Sequence, residues 1–290
     1  AAAPDGLQHT AQRLGVADSF HTKPLRRVLQ SVGRYQVLGL SLHKIRLFEG
    51  DRDGVAEIAL AAGVPHTATD ALGDELTEPH HTVSSYGGVG GGSAPMPHGQ
   101  GGKKDEVDKD AERFFRAVDR AVAEHHSKPS GLPLILAALP EHHHLFRQVS
   151  HNALLLATGI DVNPDALTLA QLRQRAWQAV EPQVQALQTR WTDEFGAARA
   201  RGLGSDNLAD VARAAAAGRV GMLLIEAERQ IAGHLDDSSG SIMAADLDNP
   251  RIDDLLDDLG DLVMKMGGQV RVLPADRMPG STGLAATYRH

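Results

Sequence analysis

Apolar residues crowd into short runs once the chain reaches Tyr35. YQVLGLSL, from Tyr35 to Leu42, and IRLF, from Ile45 to Phe48, have the length and composition of strands, with His43-Lys44 as the tight connection between them. Val55 to Ala61 (VAEIALA) follows as a third strand, and three sequential strands predict an antiparallel meander. Residues 63 to 104 show no period at all. Gly87-Gly88-Val89-Gly90-Gly91-Gly92-Ser93 reads as a flexible linker, and Pro95 and Pro97 exclude a regular ladder. Helical spacing then returns with Val107, Ala111, Phe114, Phe115, Val118, Ala121 and Val122, behind Asp105, Glu106 and Asp108, whose charge suits a first turn. Leu132 to Leu139 (LPLILAAL) is a continuous apolar run, as expected of a strand covered on both faces.

The second half opens at Asn163-Pro164-Asp165, a helix-start signal, before a long helical pattern from Ala166 to about Arg201. A break at Gly202-Leu203-Gly204-Ser205 leads to a helix from Leu208 to Ala217 and a strand from Val220 to Ile225. A low-order patch, Asp236 to Ser241, precedes an acidic helix from Ile252 to Met266 and two closing strands, Gln269 to Leu273 and Leu284 to Tyr288. This alternation predicts a second α/β sandwich. The expected organisation is a short leading remnant, residues 1–25, an α/β domain over 26–160, and a C-terminal α/β domain over 161–290.

Composition narrows the class. Of the 290 residues 42% are hydrophobic and 23% charged, as in a globular protein, and no run reaches the ~20 apolar residues of a membrane span. There is no cysteine, hence no thiol nucleophile, and no signal-peptide pattern at the start; the expected location is cytoplasmic. A formal charge of −8 excludes a general nucleic-acid coat and restricts any RNA contact to a local patch in one orientation.

Histidines are conspicuous at His80-His81, His125-His126, His142-His143-His144 and His151. None has the spacing of a zinc motif, so they are expected in exposed loops, and neither metal nor cofactor is expected. If residues 142–144 lay on a strand, His142 and His144 would share a face. No nucleophile elbow, Walker loop or dinucleotide fingerprint occurs. The carboxylates of Asp236-Asp237 and of Asp253-Asp254-Leu255-Leu256-Asp257-Asp258 are expected on solvated surface, and Phe114, Phe115 and Trp177 in the core.

Two glycine-glutamine segments remain. Glycines permit close backbone approach, and a glutamine offers both a donor and an acceptor, enough to orient a water. Gly267-Gly268-Gln269 is the tidier, but it sits between a helix and a strand and reads as a helix cap. The other is Pro97-His98-Gly99-Gln100-Gly101-Gly102-Lys103.

The order of these features over residues 20 to 290 resembles the archaeo-eukaryotic peptide-chain release factors and Pelota, and more closely the bacterial branch of that superfamily. The stretches that carry the resemblance are KPLRRVLQ, YQVLGLSLHKIRLFEGD, HGQGGKKDEVDKDAERFFRAVDRAV, PLILAALPEHHHLFRQ, LADVARAAAAGRVGMLLIEAE and GGQVRVLPADRMPGSTGLAATYRH. The resemblance implies a ribonuclease H-like middle domain followed by an α/β sandwich like the kink-turn-binding ribosomal proteins. It further implies a ribosome-contacting loop, residues 87 to 104, containing His98, Gly99, Gly101 and Gly102. The release-factor pattern His-Gly-x-Gly-Gly-Gln falls on residues 98–103, with Lys103 where the catalytic glutamine stands and Gln100 three residues upstream. The implied partners are the ribosome, with its rRNA or tRNA, and neither DNA nor a membrane. The implied function is a ribosome-associated release or rescue factor with a degenerate catalytic loop. Two alternatives stay open: a peptidyl-tRNA hydrolase using Gln100 or Lys103, and a non-ribosomal α/β protein with a histidine metal site. Oligomeric state is not legible.

Overall fold

The computed structural model describes residues 32–73, 100–244 and 253–289, with backbone alone for 100–106, 244 and 253. The glycine run 87–93, Pro95, Pro97, His98, Gly99, His80 and His81 lie outside the described residues. The chain forms two compact units, Gly33–Val180 and a second unit of Val32 with the residues from Glu181 onward.

In the first unit the meander forms as expected. β1 (Tyr35–Leu40), β2 (Ile45–Gly50) and β3 (Val55–Ile58) pair antiparallel, with Val37 opposite Phe48 and Phe48 opposite Glu57. β4 (Leu134–Ala137) is parallel to β1, giving the order β3-β2-β1-β4, and all four of its residues are buried. Beyond β4 the chain returns alongside it, bridging Leu134 to Leu155 and Ala137 to Ile160 in parallel. Alternation along β1 sends Leu38 and Leu40 to one face, where they pack with Leu47, Leu134, Leu136, Phe114, Phe115 and Phe146.

The helices over that face start earlier than the pattern suggested. α1 (Ala68–Leu72) forms inside the stretch read as aperiodic, capped reciprocally by Thr67 and Asp70. α2 (Gln100–Val122) begins five residues before Asp105. Once Phe114, Phe115 and Val118 fix the core turns, each added residue needs only one more helical bond, and this offsets the weak propensity of Gly101 and Gly102. Val107, read as part of the apolar stripe, is 50% exposed, and among the described side chains of α2 the first buried one is Ala111.

α3 (Pro140–Val149) corrects the reading of the histidine triplet as strand or exposed loop. Pro140 occupies the first helical turn, where its missing N–H costs nothing. On a helix His142 and His143 face inward with Phe146 and Val149, while His144 is exposed. The sheet's other face holds Tyr35 and Gly39, the latter against Pro164 of a 3₁₀ turn (Pro164–Ala166) capped by Asn163. Past that turn comes α4 (Leu169–Ala200); Tyr35 Oη donates to the Asp51 carbonyl at 3.1 Å, and Arg173 of α4 donates to the Arg52 carbonyl at 2.6 Å. Trp177, expected in the core, is half-buried with the Arg52 guanidinium 6.0 Å from its ring centre.

The second unit is a three-layer α/β sandwich. β6 (Val220–Glu226) lies parallel to β10 (Gln269–Leu273) and antiparallel to β11 (Leu284–Tyr288), which pairs in turn with β5 (Gly204–Ser205). α5 (Leu208–Ala216) and α6 (Leu255–Lys265) cover one face through Val211, Ala215, Leu256, Leu259 and Val263. Trp191 and Phe195 from the end of α4 pack on the other, with Met222, Leu224 and Leu273.

A small sheet not anticipated from the pattern adds β7 (Ala232–Leu235) between β8 (Ile242–Ala244) and β9 (Asp253–Asp254). Its turn is the patch read as low-order. Asp236 accepts from the amides and hydroxyls of Ser238 and Ser239, chiefly the Ser238 hydroxyl, which holds its pKa near 2. Two aspartates expected on the surface are buried, Asp254 at 3% and Asp257 at 2% exposure. Asp254 caps α6, accepting from Leu256 N at 3.1 Å and from Ile231 N at 3.0 Å, so its burial is compensated by bonds to two otherwise orphaned donors.

Candidate functional site

Of the expected site segment, the described part is the start of α2. Gln100, Gly101, Gly102 and Lys103 form its first turn, whose leading N–H groups have no partner within the helix. Eleven residues, about 16 Å of helix axis, separate Gln100 from Ala111, the first buried residue among the described side chains of α2. The four residues therefore share the N-terminal turn of a helix whose buried positions, among its described side chains, begin at Ala111.

Anchoring at that far end is elaborate. α2 runs into a wider π-type turn, Ala123–Ser127, and a short helical turn closed by Gly131 at φ 65°. His126 Nε2 accepts from the Ala61 amide at 3.1 Å, and Asn152 Nδ2 donates to the buried Ser127 hydroxyl at 2.8 Å. Burial pushes the His126 pKa down, and the neighbouring His125 adds to that, so the neutral acceptor form is favoured. One turn earlier Asp119, 4% exposed, accepts from Ser150 Oγ at 2.5 Å and from the His151 amide at 2.8 Å. This ties α2 to the segment leaving α3.

The remaining histidines are dispersed. His143 Nε2–H donates to the Ile160 carbonyl at 3.1 Å, and His142 sets its ring edge-on to Phe115 at 5.8 Å. His142 Nδ1 is buried with no hydrogen-bond partner among the described residues, and burial lowers its pKa. Among the described residues no three His, Cys, Asp or Glu side chains come together as metal ligands. Nor, among those residues, is any helix long and apolar enough to cross a membrane.

Gly267-Gly268-Gln269 serves the fold. The Gly268 amide donates to the Val263 carbonyl at 2.7 Å and the Gly267 amide to the Met264 carbonyl at 2.9 Å, the two bonds of a Schellman cap on α6. Gly267 has φ 76°, and a Cβ on Gly268 would meet Val263 Cγ1 at 2.6 Å and the Val220 carbonyl oxygen at 2.8 Å. Both glycines are required by the turn, as their place between helix and strand suggested.

Sequence reasoning missed one feature beside α2. Arg113, Arg116 and Arg120 recur at intervals of three and four residues on the helix face that lines a cleft. The spacing of three and four between these arginines is the signal in the sequence.

The profile of bacterial archaeo-eukaryotic release factor family 3 matches residues 34–219, and the chain belongs to this family. No curated protein matches. Among solved structures the chain is similar to an archaeal translation termination factor, with 16% identity, a TM-score of 0.33, and coverage of 93% of this chain and 66% of that one. It is similar also to Pelota of Archaeoglobus fulgidus, at 14% identity and TM-score 0.33, covering 92% of this chain and 68% of that one. A translation termination-like factor of S. cerevisiae involved in RNA quality control shows 12% identity and TM-score 0.46, with 94% and 69% covered. The chain thus spans about two thirds of the length of these solved proteins, and a little less than that of the first.

Proposed function

We propose that this protein is a ribosome-associated factor of the release and rescue kind, in which segment 87–104 reaches toward the peptidyl-transferase centre. The observation that carries this reading is membership of the release-factor family over a span that includes the expected catalytic segment. The strand order β3-β2-β1-β4, extended in parallel beyond β4, supports a ribonuclease H-like middle unit; the β10-β6-β11 sandwich supports the likeness to kink-turn-binding ribosomal proteins. Placement of Gln100 to Lys103 on the first turn of a long helix suits an element that must project.

Lys103 occupies the position of the catalytic glutamine, so docking is the primary role and hydrolysis is degenerate. A lysine offers only donors, whereas orienting a water for attack needs an acceptor as well. Co-sedimentation of the full chain with stalled ribosomes tests the docking role. Binding that is lost on deleting residues 87–103 is the expected result, and no association with stalled or starved ribosomes overturns it.

Peptidyl-tRNA hydrolysis through Gln100 is the second reading, favoured by the helical first turn, which brings Gln100 and Lys103 one turn apart. Release of labelled peptide by wild type, abolished in Gln100→Ala, would establish it. Equal release by both proteins would eliminate it.

A further inference from the structure

We infer that the cleft beside the C-terminal half of α2 is a binding site for a phosphorylated nucleoside, a role separate from the glycine segment and independent of any ribosomal function. The cleft opens between α2, the π-type turn and the segment that follows α3, and it encloses about 560 Å³. That volume is in the range of sites for single small ligands. Its nearest arginine, Arg113, lies ten residues beyond Lys103, about 15 Å along the helix.

Charge points to an anion. Arg113, Arg116, Arg120 and Lys128 all line the cleft and all are exposed, in a chain whose formal charge is −8. Arg116 bonds Glu112 at 2.6 Å, and Arg113 approaches Asp110 at 3.8 Å. Surface pairs of this kind are weak and yield to a doubly charged phosphate. Arg120 and Lys128 have no carboxylate within ion-pair distance among the described residues. Two carboxylates, with His151 and Asn152, add to the polar lining. Both oxygens of Asp119 are engaged by Ser150 and the His151 amide. Glu124 is exposed and accepts hydrogen bonds only, a match for the exocyclic amine of a base.

The floor excludes inorganic phosphate as the intended occupant. Leu72, Ala117, Ala123, Val149 and Leu154 present an aliphatic surface that a bare anion would leave wet and unused. A flat, largely apolar body joined to a phosphate satisfies floor and rim together. A helical peptide lays its anchors along several turns of a groove, which a cleft of this size does not provide.

The test is calorimetric titration of the full chain at low salt with adenosine monophosphate, a 5′-phosphorylated dinucleotide, and inorganic phosphate. Expected is saturable binding of the nucleotides that inorganic phosphate at equal concentration does not displace. The double variant Arg113→Ala/Arg120→Ala weakens it by on the order of tenfold or more, because two charge-assisted contacts are lost. Ala153→Trp, which fills the exposed edge of the cleft and changes no charge, has a similar effect. Tighter binding of the dinucleotide assigns the site to an RNA end, and tighter binding of the mononucleotide to a free nucleotide; either supports the inference. No saturable binding of either probe at millimolar concentration overturns it. So does nucleotide binding that both variants leave unchanged, or preferential binding of inorganic phosphate. Ribosome co-sedimentation is scored separately, so failure here leaves the docking role standing.

Discussion

Ser150 donates its hydroxyl to Asp119 across a 2.5 Å hydrogen bond, and this contact fastens the middle of α2 to the residues that leave α3. Asp119 also accepts from the His151 amide, so removing the carboxylate strands a donor in a half-buried place. Asp119→Ala is expected to destabilise the protein by about 1–3 kcal/mol, and Ser150→Ala by about 1 kcal/mol. Urea denaturation checks both, and a neutral Asp119→Ala would mean that water replaces the contact.

The C-terminal glycines give a graded prediction. Gly268→Ala places a Cβ against backbone oxygen as well as a valine methyl and is expected to cost about 2 kcal/mol or more. Gly267→Ala forces a Cβ into the left-handed region and costs about 1–2 kcal/mol. Gln269 is exposed, and Gln269→Ala should fall within about 0.5 kcal/mol of wild type. Thermal melts of the three variants give the ranking, and ribosome binding by Gln269→Ala is expected to be unchanged.

Stability should fall as solution becomes mildly acidic. His142 and His126 have folded pKa values below the usual ~6.5 because burial disfavours their charged forms. The unfolded chain therefore binds protons first, and stability present above pH ~6.5 is lost as pH falls through the lower folded values. Equilibrium unfolding between pH 7.5 and 5 measures the slope, in a range set by the His titration. His142→Leu should flatten it. A slope identical to wild type would show that His142 contributes nothing.

Surface charge on the edge of the meander should matter little by contrast. Arg46 bonds both Glu57 and Asp165, and Lys44 reaches Asp165 at 2.9 Å. All four side chains are substantially exposed, so Asp165→Ala is expected to cost less than about 1 kcal/mol, and less again at high salt.

Placing a glutamine at position 103 tests the proposed catalytic reading of this segment directly. If Lys103 is what holds hydrolysis down, Lys103→Gln raises peptide release from stalled ribosomes by on the order of a hundredfold, the scale of one well-placed polar group. Co-sedimentation should persist in this variant. Unchanged release would show that the rest of the segment has also left the catalytic arrangement.

What could be read from the string follows the physics of each element. β4 was legible because a strand buried on both faces needs an unbroken apolar run, and Leu134 to Ala137 supplies one. The cap at Gly267-Gly268 was legible because only glycine fits the turn. α3 was not, although Pro140, Glu141, Phe146 and Val149 spell its start and its face. Histidine carries no fixed sign of burial, and it was treated as polar at positions 142 and 143. Asp254 was misplaced for a related reason, since part of what buries this capping carboxylate is its bond to Ile231, 23 residues away in the sequence. β7 to β9 are too short for any periodicity. The start of α2 at Gln100 was masked by two glycines that local propensity penalises and tertiary anchoring tolerates.

The Schellman turn after α6 bears on how relatives of this protein are to be found. Any helix closed by two glycines and followed by a strand that opens with glutamine will spell Gly-Gly-Gln without reference to peptide release. In this chain the Gly-Gly-Gln triplet answers to backbone geometry, and the segment proposed to reach the ribosome, residues 98–103, does not contain it. A text search for the triplet would select a helix cap. Surveys of the family should score the helix that carries the segment before they score its letters.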